Sequence, residues 1–175
     1  MWWLEAQFAP DSEATAGQAS TLLNTGDQAP AATLTAHDGS QVTLADYQGK
    51  QAVVLFYYPR ANTGGCTKET AAFAERYGEF EAAGAAVFGA SADKPATNAK
   101  FAEKLGVPFK LLTDEGLELW QSFGVRMGGG KPVKRITFVL DSEGSIVLVY
   151  YYTGRGDVTS HVEESLKAVQ ALAAK

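Results

Sequence analysis

Apolar and polar positions along this chain fall into runs, alternations and helical stripes that separate strands from helices. In Gln51 to Pro59, "QAVVLFYYP", every residue between the first and the last is apolar, many of them β-branched or aromatic. That run predicts a central strand buried on both faces and ended by Pro59. Ahead of it, "ATLTAHDGSQVTL" holds two short β-like runs around Asp38-Gly39, a turn pair that predicts a hairpin. Behind it, Phe73, Tyr77 and Phe80 recur at i, i+4 and i+7, predicting one amphipathic helix over Thr67–Ala83 closed by Gly84. "AAVFGAS", Ala85 to Ser91, predicts a second core strand, and strand–helix–strand of this length implies a right-handed parallel unit.

The pattern continues with a helix from Asp93 to Gly106, with Pro95 in its first turn, and a short strand in "FKLLTD". Asp114 is placed to cap a brief helix carrying Leu117, Trp120 and Phe123. "RITFVLDSEGSIVLVYYY" reads as a hairpin turning at Ser142–Gly144, with Tyr150–Tyr152 alternating across a late or edge strand. The last helix shows a capping box, Ser160 with Glu163, and a stripe of Val162, Leu166, Val169 and Leu172. Phe56, Tyr57, Tyr58, Phe88 and Trp120 are core candidates. The sum is βαβ followed by ββα around one sheet: an α/β, thioredoxin-like fold, with a mixed central sheet flanked by helices and an N-terminal β-hairpin. Residues 1–25, rich in Ala, Ser, Thr, Gln and Gly without an apolar period, read as a flexible extension, and residues 26–175 as one domain.

Composition narrows the function. Fifteen Lys plus Arg against twenty Asp plus Glu leave a net charge of −5, which disfavours a nucleic-acid partner. No stretch approaches the ~20 apolar residues of a membrane span, and the N-terminus lacks the basic start of a signal peptide, so the expected location is cytoplasmic. The two histidines, His37 and His161, lie far apart without ligand spacing, so neither a metal site nor a cofactor is expected. "GGGK", Gly128 to Lys131, lacks the residues of a phosphate loop and reads as a plain connection. Arg155-Gly156-Asp157 reads as a helix approach.

One cysteine, Cys66, excludes an internal disulfide. A lone cysteine is most often a small core filler. Its setting, "YYPRANTGGCTKET", argues otherwise. Cys66 falls at a helix start, where unpaired N–H groups and the positive end of the dipole stabilise a thiolate and not a thiol. Gly64 and Gly65 let backbone approach a small ligand, and Thr63 adds a hydroxyl. An ordinary thiol is roughly 3% ionised at neutral pH, so ionisation alone gives about thirtyfold. A fast enzyme needs fixed donors for the transition state as well, part of them from a cation elsewhere in the chain.

"PRANTGGC", Pro59 to Cys66, fits P-x3-T-x2-C, and with the "CTKE" that follows it resembles the peroxiredoxins of the peroxiredoxin Q or bacterioferritin comigratory protein subfamily. "RITFVLDSEGSI", from Arg135, looks like that family's second signature, and "GDQAP", "YQGK", "LLTDEG" and "FGV" extend the likeness over residues 26–172. The resemblance implies that Cys66 is the peroxidatic nucleophile. It implies that Thr63 and Arg135 hydrogen-bond the peroxide, that Pro59 shields the pocket, and that Glu69 orients the arginine. It also implies a peroxide substrate and a thiol reductant.

Two departures from the family matter. A resolving cysteine often stands five positions on, where this chain has Ala71, so the cycle must use one cysteine and an external thiol: thioredoxin, glutaredoxin, glutathione or another small thiol. The family's "TPGC" is "TGGC" here, which loosens the loop before the nucleophile. Monomer and weak homodimer are both open. Two rivals stand beside the peroxidase: a non-enzymatic redox sensor or adaptor on the same fold, and a thiol hydrolase using His37 or His161. The absence of C-x-x-C argues against a dithiol oxidoreductase.

Overall fold

A computed structural model describes residues 23–124, 135–151 and 157–175. Residues 1–22, 128–131, Tyr152, Arg155 and Gly156, singled out above, lie outside the described residues. Where the described chain starts, the Leu23 N–H donates to the Phe123 carbonyl at 3.0 Å and its side chain packs on the core.

The hairpin forms from β1 (Thr33–Ala36) and β2 (Gln41–Thr43), followed by a 3-10 turn at Leu44–Tyr47. The apolar run is β3 (Ala52–Tyr57), buried at all six positions, and β4 (Ala85–Ser91) lies parallel to it with Val54 opposite Val87. β5 (Lys110–Thr113) pairs parallel to β4, and β6 (Ile136–Leu140) antiparallel to β3; β7 (Ile146–Tyr151) pairs antiparallel to β6. The described strands form one mixed seven-stranded sheet in the order β2-β1-β5-β4-β3-β6-β7. This is the thioredoxin-like architecture that the sequence predicts.

Alternation along β3 builds two cores. Val53, Leu55 and Tyr57 join Phe88, Leu112, Trp120 and Phe138 on one face. Val54 and Phe56 face the other way, and with Tyr58 they meet Phe73, Phe80, Phe101, Val162 and Leu166 from the helices. Phe56 stacks on Phe73 with ring centroids 4.2 Å apart, and Gly89 makes room for it. A Cβ at Gly89 would stand 2.8 Å from the Phe56 ring and 2.7 Å from Leu111 Cδ2. Gly89→Ala is therefore expected to destabilise the fold by about 1–3 kcal/mol through overpacking, read as a lower urea midpoint at unchanged slope.

The helices depart from the pattern in informative ways. The single helix expected over Thr67–Ala83 is two: α1 (Gly64–Glu75) and α2 (Tyr77–Ala82), broken at Arg76 with φ −94° and ψ 4°. α1 also starts three residues early, because the Thr63 carbonyl accepts the first helical bond from the Thr67 N–H at 2.9 Å. α3 (Pro95–Leu105) ends as expected on left-handed Gly106. α4 (Glu118–Ser122) is capped by Asp114, whose carboxylate accepts from the Leu119 and Trp120 N–H groups at 3.0 Å and from the Tyr57 hydroxyl at 2.7 Å. Leu117 is exposed in left-handed backbone and is not part of the buried stripe. α5 (Ser160–Ala173) buries Val162, Leu166 and Val169, but its capping box does not form. The Ser160 hydroxyl donates to the Asp157 carbonyl, the Asp157 carboxylate takes the Thr159 N–H, and Glu163 turns to Arg76. No described helix is long and apolar enough to cross a membrane.

Candidate active site

Cys66 is the third residue of α1, beyond the carboxyl end of β3, and is wholly enclosed at 0% exposure. Among its apolar neighbours it could be a filler. A guanidinium decides otherwise. Arg135, immediately before β6, is only 7% exposed, and its Nη2 donates to Cys66 Sγ at 3.4 Å. Its Nη1 lies 3.2 Å from Oε2 of Glu69, itself 0% exposed. Cys66 and Glu69 share a helix face because they are three residues apart, so one arginine spans both.

A permanent cation, a soft sulfur and a carboxylate thus meet out of water. Burial raises the Glu69 carboxyl well above the usual carboxylate range, and Arg135 pulls it only part of the way back. Burial also opposes the charge on Arg135, yet Glu69 and Cys66 outweigh it and leave the arginine raised. Arginine is ionised at any physiological pH, so its charge is the fixed member and that of Glu69 the conditional one.

Thr63 stands at the N-cap of α1, but its hydroxyl does not cap the helix: it donates to the Arg60 carbonyl at 2.9 Å. Pro59 is half-buried on the same loop. The loop is held from behind by a polar network that sequence reasoning missed. The Ala61 N–H donates to Asp93 Oδ2 at 2.8 Å, and the Ser91 hydroxyl donates to the same oxygen. The Tyr58 hydroxyl donates to Asn98 Oδ1 at 2.6 Å, and Asn98 Nδ2 donates to Ser91 Oγ. The signal was present: Asn98 heads the stripe Asn98, Phe101, Ala102, Leu105 on α3, and a buried Asn requires partners.

The histidines are engaged elsewhere. His37 Nδ1 accepts from the Leu111 N–H at 3.0 Å, and His161 Nδ1 shares a 2.8 Å hydrogen bond with the Thr137 hydroxyl under the edge of Tyr150. Burial, with Arg135 nearby, lowers His161 from 6.5 to about 4. Between those values the unfolded chain binds the extra proton and the folded chain does not. Stability from this group is therefore full above pH 6.5 and is lost on acidification towards 4, by up to about 3 kcal/mol. Glu69, raised in the folded chain, opposes this slope, so the check is a difference: relative to His161→Gln, the parent's urea midpoint should drop as pH falls from 6.5 towards 4.

The sequence matches the AhpC/TSA family over residues 25–149. It is 44% identical over 137 residues to a Mycobacterium tuberculosis chain assigned to the peroxiredoxins, covering 75% of this chain and 87% of that one. It is 36% identical over 165 residues to the chloroplastic peroxiredoxin Q of Populus jackii, covering 93% and 76%. The solved bacterioferritin comigratory protein of Xanthomonas campestris, whose structures concern alkyl peroxide reduction, superposes with a TM-score of 0.76 at 29% identity over 86% of this chain and 99% of that one.

Proposed function

Since this chain belongs to the AhpC/TSA family and is a thiol-dependent peroxidase of the peroxiredoxin Q type, we propose that Cys66 is its attacking sulfur and Arg135 its principal electrostatic group. The observation that carries this is the Nη2–Sγ contact of 3.4 Å, made where water is excluded. The Cys66 thiolate attacks the terminal peroxide oxygen, an S–O bond forms as the O–O bond breaks, and the departing RO⁻ takes a proton to leave as ROH. The sulfur, oxidised by two electrons, becomes Cys66–SOH. Arg135 holds the thiolate and the oxygen that gains charge, Glu69 fixes the arginine's plane, and the Thr63 hydroxyl, its own proton committed to Arg60, accepts the peroxide O–H. Pro59 limits water at the mouth of the site.

With no second cysteine in the chain, an external thiol condenses with the sulfenic acid, releasing water, and a further thiol frees Cys66. Hydrogen peroxide and small alkyl hydroperoxides are the proposed substrates. Thioredoxin, glutaredoxin or glutathione in the cytoplasm is the proposed electron source, and the working unit is residues 26–175. The test is peroxide turnover with each thiol supplied in turn, with intact-mass measurement of the chain. One added oxygen appearing on peroxide and disappearing with a particular thiol supports the reading. Turnover with no change of mass at Cys66 overturns it.

A further inference from the structure

We propose that Gly65 is a positioning residue of the peroxidase site, its missing side chain opening the slot in which the Arg135 guanidinium reaches Cys66. The inference rests on the role assigned to Arg135 above. A Cβ built on Gly65 would stand 2.9 Å from Arg135 Nη2 and 3.7 Å from its Cζ. Nη2 is the nitrogen that donates to Cys66 Sγ. The opposite wall is Val158, whose Cγ1 would be 3.8 Å from the same Cβ, and Glu69 closes the slot beneath Nη1. Val158 is itself buried, and its neighbour Asp157 pairs with Lys68 on α1 at 3.0 Å.

The backbone conformation at this position does not call for glycine. Gly65 lies inside α1 with ordinary helical backbone, where alanine is the better helix former. Gly64 beside it and Gly78 in α2 have no atom within 4 Å of a built Cβ, so among the described helix glycines the close approach is particular to Gly65. The atom in the way is the tip of a flexible side chain, not backbone. An alanine at 65 thus leaves the chain able to fold and moves the guanidinium instead.

The experiment is a double-mutant cycle on the second-order rate of Cys66 oxidation by hydrogen peroxide. Gly65→Ala should lower that rate about fivefold or more while melting no lower than the parent, and should change it less than about twofold when Arg135 is already alanine. Gly78→Ala should match the parent. A parent-like rate in Gly65→Ala overturns the proposal, as does an equal loss in both backgrounds, which marks a merely structural role. A parent-like rate in Arg135→Ala removes the arginine's assignment itself, and the glycine's with it; a slow Arg135→Ala beside a fast Gly65→Ala removes the glycine's alone.

Discussion

Cys66→Ser is expected to consume no peroxide above the uncatalysed background, with any reductant. The chain has no other sulfur nucleophile than its two methionines, which do not cycle with thiols, and a serine hydroxyl is not ionised at neutral pH. The substitution is nearly isosteric. The serine oxygen, on a shorter bond than the sulfur, keeps a donor once the Arg135 guanidinium shifts slightly towards it, so the stability loss should stay at about 1–2 kcal/mol. Peroxide depletion measured beside a thermal melt separates the two effects. Retained turnover in a folded Cys66→Ser protein would remove Cys66 from the chemistry.

Arg135→Ala carries the second large effect, and it has two parts. Loss of a preorganised donor to the reacting atoms should slow Cys66 oxidation by at least about tenfold, towards the 10²–10³ seen for such donors. Glu69 is meanwhile left buried without its cation, a situation that costs ~3–5 kcal/mol when the carboxylate stays charged. Burial already favours its protonated form, so the carboxyl can escape that cost by binding a proton. A carboxyl raised in the folded state contributes stability below its unfolded pKa and loses it as pH rises towards the folded one. Because Glu69 is already raised to about 8 in the parent, both proteins should weaken alike as pH rises towards that value; the variant, whose carboxyl lacks the arginine's pull, should go on weakening above it, while its rate stays low throughout. Adding Glu69→Gln should restore the stability and not the rate. A fast Arg135→Ala enzyme, or a pH-independent stability loss, contradicts this account.

Much of the fold was legible because period and burial agree: β3 and β4 are continuous apolar runs, and both are central strands. The failures trace to tertiary contacts that no local pattern carries. The long helix breaks at Arg76, two residues before Gly78, and the Arg76 guanidinium pairs with Glu79 and, on the neighbouring α5, with Glu163. The same contact takes Glu163 from the capping box expected with Ser160, so one arginine accounts for two departures. Leu117 was read onto a stripe by spacing alone, and left-handed backbone turns it outward. At the site, the meeting of Cys66, Arg135 and Glu69 was legible through motif resemblance. What could not be read was that Glu69 is sealed from solvent and that Gly65 faces the guanidinium, since both depend on how β6 approaches α1.

The complete enclosure of Cys66 bears on which electron donors can finish the cycle. A hydroperoxide a few atoms across can be admitted by side-chain breathing, but a folded thioredoxin cannot bring its own sulfur to an atom with no accessible surface. Turnover by a protein thiol thus requires the opening residues of α1 to move aside between half-reactions, and two of them are glycines, which favour a helix little. A fast oxidative half and a slower, donor-size-dependent reductive half is the kinetic signature to look for.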